Sequence, residues 1–108
     1  MKIPGDAVIA EEKLTRYLLT WRPRNDKSAL LARAGYELAN WTLLRDDLRR
    51  LAAAVDAESE GINPFGELLL ARGELQGPSG VILKVKTVWI RLAETGETRF
   101  VTLYPDKE

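Results

Sequence analysis

The side chains that could do chemistry fall in two stretches. In the C-terminal third, Lys84, Lys86, Thr87, Arg99, Thr102 and Tyr104 alternate with apolar residues. Lysine and arginine bind phosphate, and a guanidinium does so through two parallel hydrogen bonds. Threonine and tyrosine hydroxyls can orient an attacking oxygen. A sheet face of this composition could bind or cleave a phosphodiester, and it could equally be the half-solvated side of a sheet. The second stretch sets Arg22, Arg24, Lys27 and Arg33 against a single Asp26, with Trp21 and Tyr36 close by. Its cations could hold phosphate, with Lys27 in the first turn of a helix, and its aromatics could stack bases. The competing account makes the cations a solvated loop and the aromatics edges of the core.

Composition removes most other chemistry. The 108 residues include no cysteine and no histidine, so thiolate chemistry, disulfides, the usual general base and the commonest metal ligand are absent. The acidic residues Asp46, Asp47, Asp56, Glu58 and Glu60 lack the convergent spacing of a metal site, and nothing in the chain implies a cofactor. Sixteen basic and sixteen acidic side chains cancel, whereas a protein held mainly by nucleic-acid phosphates carries a basic excess. No apolar run reaches the roughly 18 residues of a membrane span, and the N-terminus lacks a signal-peptide layout. The expectation is a cytoplasmic protein of one domain, residues 1–108.

The elements that must position these groups follow from periodicity. Leu14, Tyr17, Leu18 and Trp21 repeat at helical spacing from Glu11 until Pro23 breaks the pattern. Asn25 or Asp26 caps a short helix over 27–34, which Gly35 closes. Asn40 caps the longest helix, about 41–57, with Trp41, Leu44, Leu48, Leu51 or Ala52, and Val55 facing inward. Arg45, Asp46, Asp47, Arg49 and Arg50 read as its solvated side. The stretch 61–64 reads as a loop joining two layers of one domain. Strands are expected over 65–75, 81–92 and 98–104, joined by Gly77-Pro78-Ser79-Gly80 and a Gly96 turn, with Gly66 and Gly73 at bulges or bends. Trp89 belongs in the core. The fold class is α+β: three helices on a three- to four-stranded antiparallel meander, the fourth strand being 7–9.

Several stretches together resemble a known family: Ile3-Pro4, Tyr17-Leu18-Leu19, Lys27-Ser28-Ala29, Gly35-Tyr36, Asn40-Trp41, Asn63-Pro64-Phe65-Gly66, Gly77-Pro78-Ser79-Gly80, Thr87-Val88-Trp89-Ile90 and the run Val101 to Pro105. They resemble the small bacterial domain of unknown function 6883, nearly from end to end. The resemblance implies no established activity. It implies a conflict or toxin–antitoxin setting, as the C-terminal payload of a polymorphic toxin or as a stand-alone protein. The order of helices then meander is also similar to the RelE and barnase-like ribonucleases, some of which work without histidine.

Two functions follow. One is a metal-independent ribonuclease-like toxin, with RNA as substrate and an antitoxin or immunity protein as partner. In it Arg22, Arg24, Lys27, Lys84 or Lys86 and Arg99 bind phosphate, and Thr87, Thr102 or Tyr104 lies near the scissile bond. The other is a non-enzymatic module that binds a protein through the sheet edge or an apolar patch, or pairs with a second copy of itself. No membrane contact is expected in either.

Overall fold

The computed structural model describes residues 1–21, 23 and 27–106. Its second half is an antiparallel meander: β1 (Glu58–Asn63), β2 (Gly66–Gln76), β3 (Ile82–Leu92) and β4 (Thr98–Pro105), side by side in chain order. Short connections dictate this order, since a tight turn can join only antiparallel neighbours. At the first turn the Asn63 side chain accepts the N–H groups of Phe65 and Gly66, at 2.8 and 3.0 Å. The pleat then sorts the side chains. Leu69, Ala71 and Leu75 on β2, and Leu83, Val85, Thr87 and Trp89 on β3, are all buried and all odd-numbered. Trp89 meets Phe100 edge to face at 5.3 Å between ring centres.

The helices cover this one side. The N-terminal helical segment starts at Glu11 and is wound as a π-helix over Lys13–Leu18, with the Leu19 N–H reaching the Leu14 carbonyl at 2.9 Å. It buries Leu14 and Leu18 completely. Helix α1 (Ser28–Arg33) ends as expected at Gly35, whose φ of 90° suits a residue without a Cβ. There the Tyr36 N–H bonds back to Leu31 and the Gly35 N–H to Ala32. A single 3₁₀ turn (Leu38–Asn40) leads into α2 (Trp41–Ala54), whose Leu44, Leu48, Leu51 and Ala52 are buried. Leu51 lies on Gly73 of β2, where an added Cβ would stand 2.7 Å from its Cγ. Helices and sheet share one cluster of buried side chains.

Four local expectations are corrected. Helix α2 stops at Ala54, and the stretch read as helix end and loop is the edge strand β1. Its six residues are exposed or nearly so, so they carry none of the apolar alternation that marks a strand. Gly66 and Gly73 sit in unbroken β2–β3 register and not at bulges; the irregularities lie at Ser59/Gly61 and opposite Val88/Trp89. Asn40 does not cap α2 with its side chain. Its amide and carbonyl instead bind Gly35 O at 2.9 Å and Glu37 N at 2.7 Å, which ties the preceding turn. Trp21, expected at helical spacing with Leu14 and Leu18 and as a core edge in one of two readings, is 72 % exposed because the helix ends before reaching it.

The N-terminal lead-in buries Ile3, Ala7 and Ile9. Residues 7–9 add no full strand but one parallel bridge, in which Val8 exchanges 2.8 Å bonds with Thr98 and Phe100. Arg49, exposed as expected, also donates to the Ala7 and Gly5 carbonyls at 2.8 and 3.3 Å and holds this segment on α2. Among the described residues no helix is long and apolar enough to cross a membrane.

Candidate anion site

The sequence pattern placed Lys27 in one basic stretch and Thr102 and Tyr104 in another, 75 or more residues later. The fold brings them together. Lys27 precedes α1, and its side chain turns away from that helix toward β4. The residue is only 8 % exposed. Its ammonium donates to the Tyr17 hydroxyl at 3.0 Å and to Thr102 Oγ1 at 3.2 Å. It also lies 4.5 Å from the centre of the Tyr104 ring and 5.2 Å from that of Tyr17, within cation–π range. Thr102 Oγ1 is 3.4 Å from the Tyr17 hydroxyl, so the two oxygens form a pair under one cation. Among the described residues no carboxylate forms an ion pair with Lys27.

Each element has a reason to be there. Tyr17 is carried by the π-wound segment, an irregular winding found often at functional sites. Thr102 follows the register irregularity between β3 and β4, which re-aims the strand so that Thr102 and Leu103 are both buried. Tyr104 lies directly across from Lys86, itself across from Arg72, so a row Arg72–Lys86–Tyr104 crosses the sheet. Tyr17 carried no functional signal in the sequence, because its helical spacing with Leu14 and Leu18 read as core.

The remaining candidates stand apart from this cluster. Thr87 is fully buried; it accepts the Trp89 indole N–H at 2.8 Å and donates to the Ala71 carbonyl at 2.7 Å, so its hydroxyl is used in the core. Arg99 is exposed and paired with Glu97, opposite Ile90 and beside the Val8 bridge. Lys84 is exposed and Lys86 half-buried on the helix-free side of β3. Arg33 is exposed at the end of α1. Arg22 and Arg24, like the capping candidates Asn25 and Asp26, lie outside the described residues.

A second polar cluster sits under α2. The buried Tyr36 hydroxyl donates to Asp47 at 2.5 Å, and Arg50 donates to the same carboxylate at 2.7 Å. Burial, then the hydrogen bond and charge of Asp47, push the Tyr36 phenol well above its ordinary range. A groove of about 330 Å³ between α2 and the far ends of β2 and β3 adjoins it.

An α+β domain with its helices on one face of an antiparallel meander is also what comparison with solved structures returns. A chain of a contact-dependent growth inhibition toxin–immunity protein complex from Klebsiella pneumoniae 342 superposes with a TM-score of 0.71. The two are 16 % identical, over 96 % of this chain and 97 % of that one, a likeness of fold. No curated protein matches the sequence. Residues 4–107 match a domain of unknown function, and the chain belongs to that family, DUF6883.

Proposed function

We propose that the chain is a toxin-system protein that cleaves RNA without a metal, and that Lys27, Tyr17, Thr102 and Tyr104 form its phosphodiester site. One observation carries this reading: a nearly buried ammonium held only by hydroxyls and aromatic faces among the described residues. Burying a cation without a carboxylate is costly unless something else compensates it. A substrate phosphate would complete the set, and a fixed positive charge stabilises negative charge that builds up during phosphoryl transfer. The Tyr17 and Thr102 hydroxyls, both accepting from Lys27, would orient the attacking ribose hydroxyl. Its oxygen bonds to phosphorus as the bond to the leaving 5′-oxygen breaks, and its proton passes through solvent to that leaving oxygen. Lys86 and Arg72, in line with Tyr104 across the sheet, would hold the neighbouring phosphates. Thr87 and Arg99 have structural roles in this reading. The toxin–immunity complex that shares the fold supports a partner of the immunity kind.

The balanced charge favours a second reading, a non-enzymatic binding module. Purified protein incubated with RNA in EDTA separates the two. Cleavage by the parent, lost in Lys27→Met and kept in Arg99→Ala, supports the site. An inactive parent selects the binding module.

A further inference from the structure

The face of the sheet opposite the helices is where the observations go further. With the odd-numbered side chains of β2 and β3 buried under the helices, the even-numbered ones point to the uncovered side. Leu70 pairs with Val88 and Leu68 with Ile90, which makes a block of four adjacent aliphatic side chains, each half-buried. The next rows along the same face are Arg72–Lys86 and Glu74–Lys84. Neither Lys84 nor Lys86 has an ion-pair partner among the described residues.

We infer that this face docks a protein partner whose surface is apolar at its centre and acidic at its border. The inference rests on the toxin-system reading and adds where, and by what chemistry, the partner binds. An apolar centre with a charged rim is the anatomy of a specific protein interface. At ordinary strand rise and spacing, strands of six, eleven, eleven and eight residues cover about 570 Å². That falls short of the ~800 Å² each partner buries in a standard complex, so a partner seated here also reaches past the edge of the sheet. The aliphatic block has no ring on which a base could stack, so it fits a protein better than RNA. The border also carries Glu74 across from Lys84 and Glu58 across from Leu70, so Lys86 is the cation that calls for an acidic side chain and would steer its approach. Because Lys86 is opposite Tyr104, a partner seated here also covers the Lys27 site.

The test is to coexpress the full chain with the products of the genes flanking its own, purify the complex and titrate variants. We expect one flanking product to bind the parent, and Leu70→Glu and Ile90→Glu each to weaken it about 100-fold or more. Leu70→Ala, a milder change that keeps the fold, should weaken it about tenfold, as should the exposed Lys84→Glu. If no flanking product binds, or if all four variants keep full affinity, the inference is overturned. It is also overturned if the chain alone is a dimer that Lys84→Glu dissociates. It fails in favour of nucleic acid if Leu70→Ala weakens binding of a fluorescent 12-nucleotide single-stranded RNA and leaves protein binding intact. Failure of the catalytic reading looks different: partner binding that responds to these variants while the parent cuts no RNA leaves the docking face standing.

Discussion

Two places in this molecule set a tyrosine hydroxyl against a charge in a half-enclosed setting, and they are built to opposite effect. Under α2, the Tyr36 hydroxyl meets the Asp47 carboxylate, and Arg50 answers that carboxylate from solvent. Every charge there has a partner, and the result is a strut between the end of α1 and the middle of α2. Beside β4, the Tyr17 hydroxyl meets the Lys27 ammonium, and what surrounds it among the described residues is Thr102 and two rings. A compensated cluster adds rigidity, whereas a cation surrounded by neutral groups keeps attraction in reserve for an anion. The contrast is therefore between a joint and a receptor, and it can be attacked from both sides.

The largest expected effect is on activity. Lys27→Met keeps length and apolar bulk but removes the charge, and should lower RNA cleavage by about a hundredfold or more. Its stability should stay within about 1 kcal/mol of the parent, because replacing a buried charge by an apolar side chain of similar size is often neutral. A large loss of stability with activity preserved would make Lys27 the joint and erase the distinction.

The joint should behave in the opposite way. Tyr36→Phe removes one buried hydrogen bond to a charged group and should cost about 1–3 kcal/mol in chemical denaturation, leaving cleavage unchanged. The same bond predicts a pH dependence. The folded protein holds the Tyr36 proton well above the ordinary phenol range, while the unfolded chain releases it near pH 10. The unfolded state thus binds fewer protons above that pH, and stability falls as pH rises through it, by up to about 1.4 kcal/mol per pH unit from this group. Subtracting the stability profile of Tyr36→Phe from that of the parent should leave this alkaline slope. A flat difference would show that Tyr36 is not held this way.

How much of this was legible beforehand depends on what each feature writes into the chain. Trp89 was readable as core from the apolar run it shares with Val88 and Ile90. The alternation in β3 did not choose a buried face, because both sets of its side chains include apolar residues. Leu44, Leu48 and Leu51 mark α2 by helical spacing. Strand β1 was not readable, since an exposed edge strand held by backbone bonds needs no apolar residues. Of the site, Lys27, Thr102 and Tyr104 were selected for their chemistry, but nothing local could reveal that the three would meet, because the contact depends on how the π-wound segment lies on β4. Tyr17 was concealed by its own regularity. Thr87 and Arg99 were chosen by residue type, and type cannot tell a hydroxyl spent on a carbonyl from one facing a ligand.

The smallest expected effect sharpens that last point. Arg99 has the residue type best suited to bind a phosphate, yet it is exposed and paired with its near neighbour Glu97. Exposed pairs of this kind contribute little, typically below 1 kcal/mol, because solvent already screens both charges. Its strand position is fixed by backbone bonds from Val8 to Thr98 and Phe100, which do not involve its side chain. Arg99→Ala should therefore shift stability by no more than about 0.5 kcal/mol and leave cleavage within about twofold of the parent. Thermal melting and the cleavage assay on the same preparation measure both. If Arg99→Ala instead removes activity as fully as Lys27→Met, the anion is held at the Arg99 end of β4. The tyrosine-lined ammonium would then be a second joint, and the contrast between the two clusters would fall.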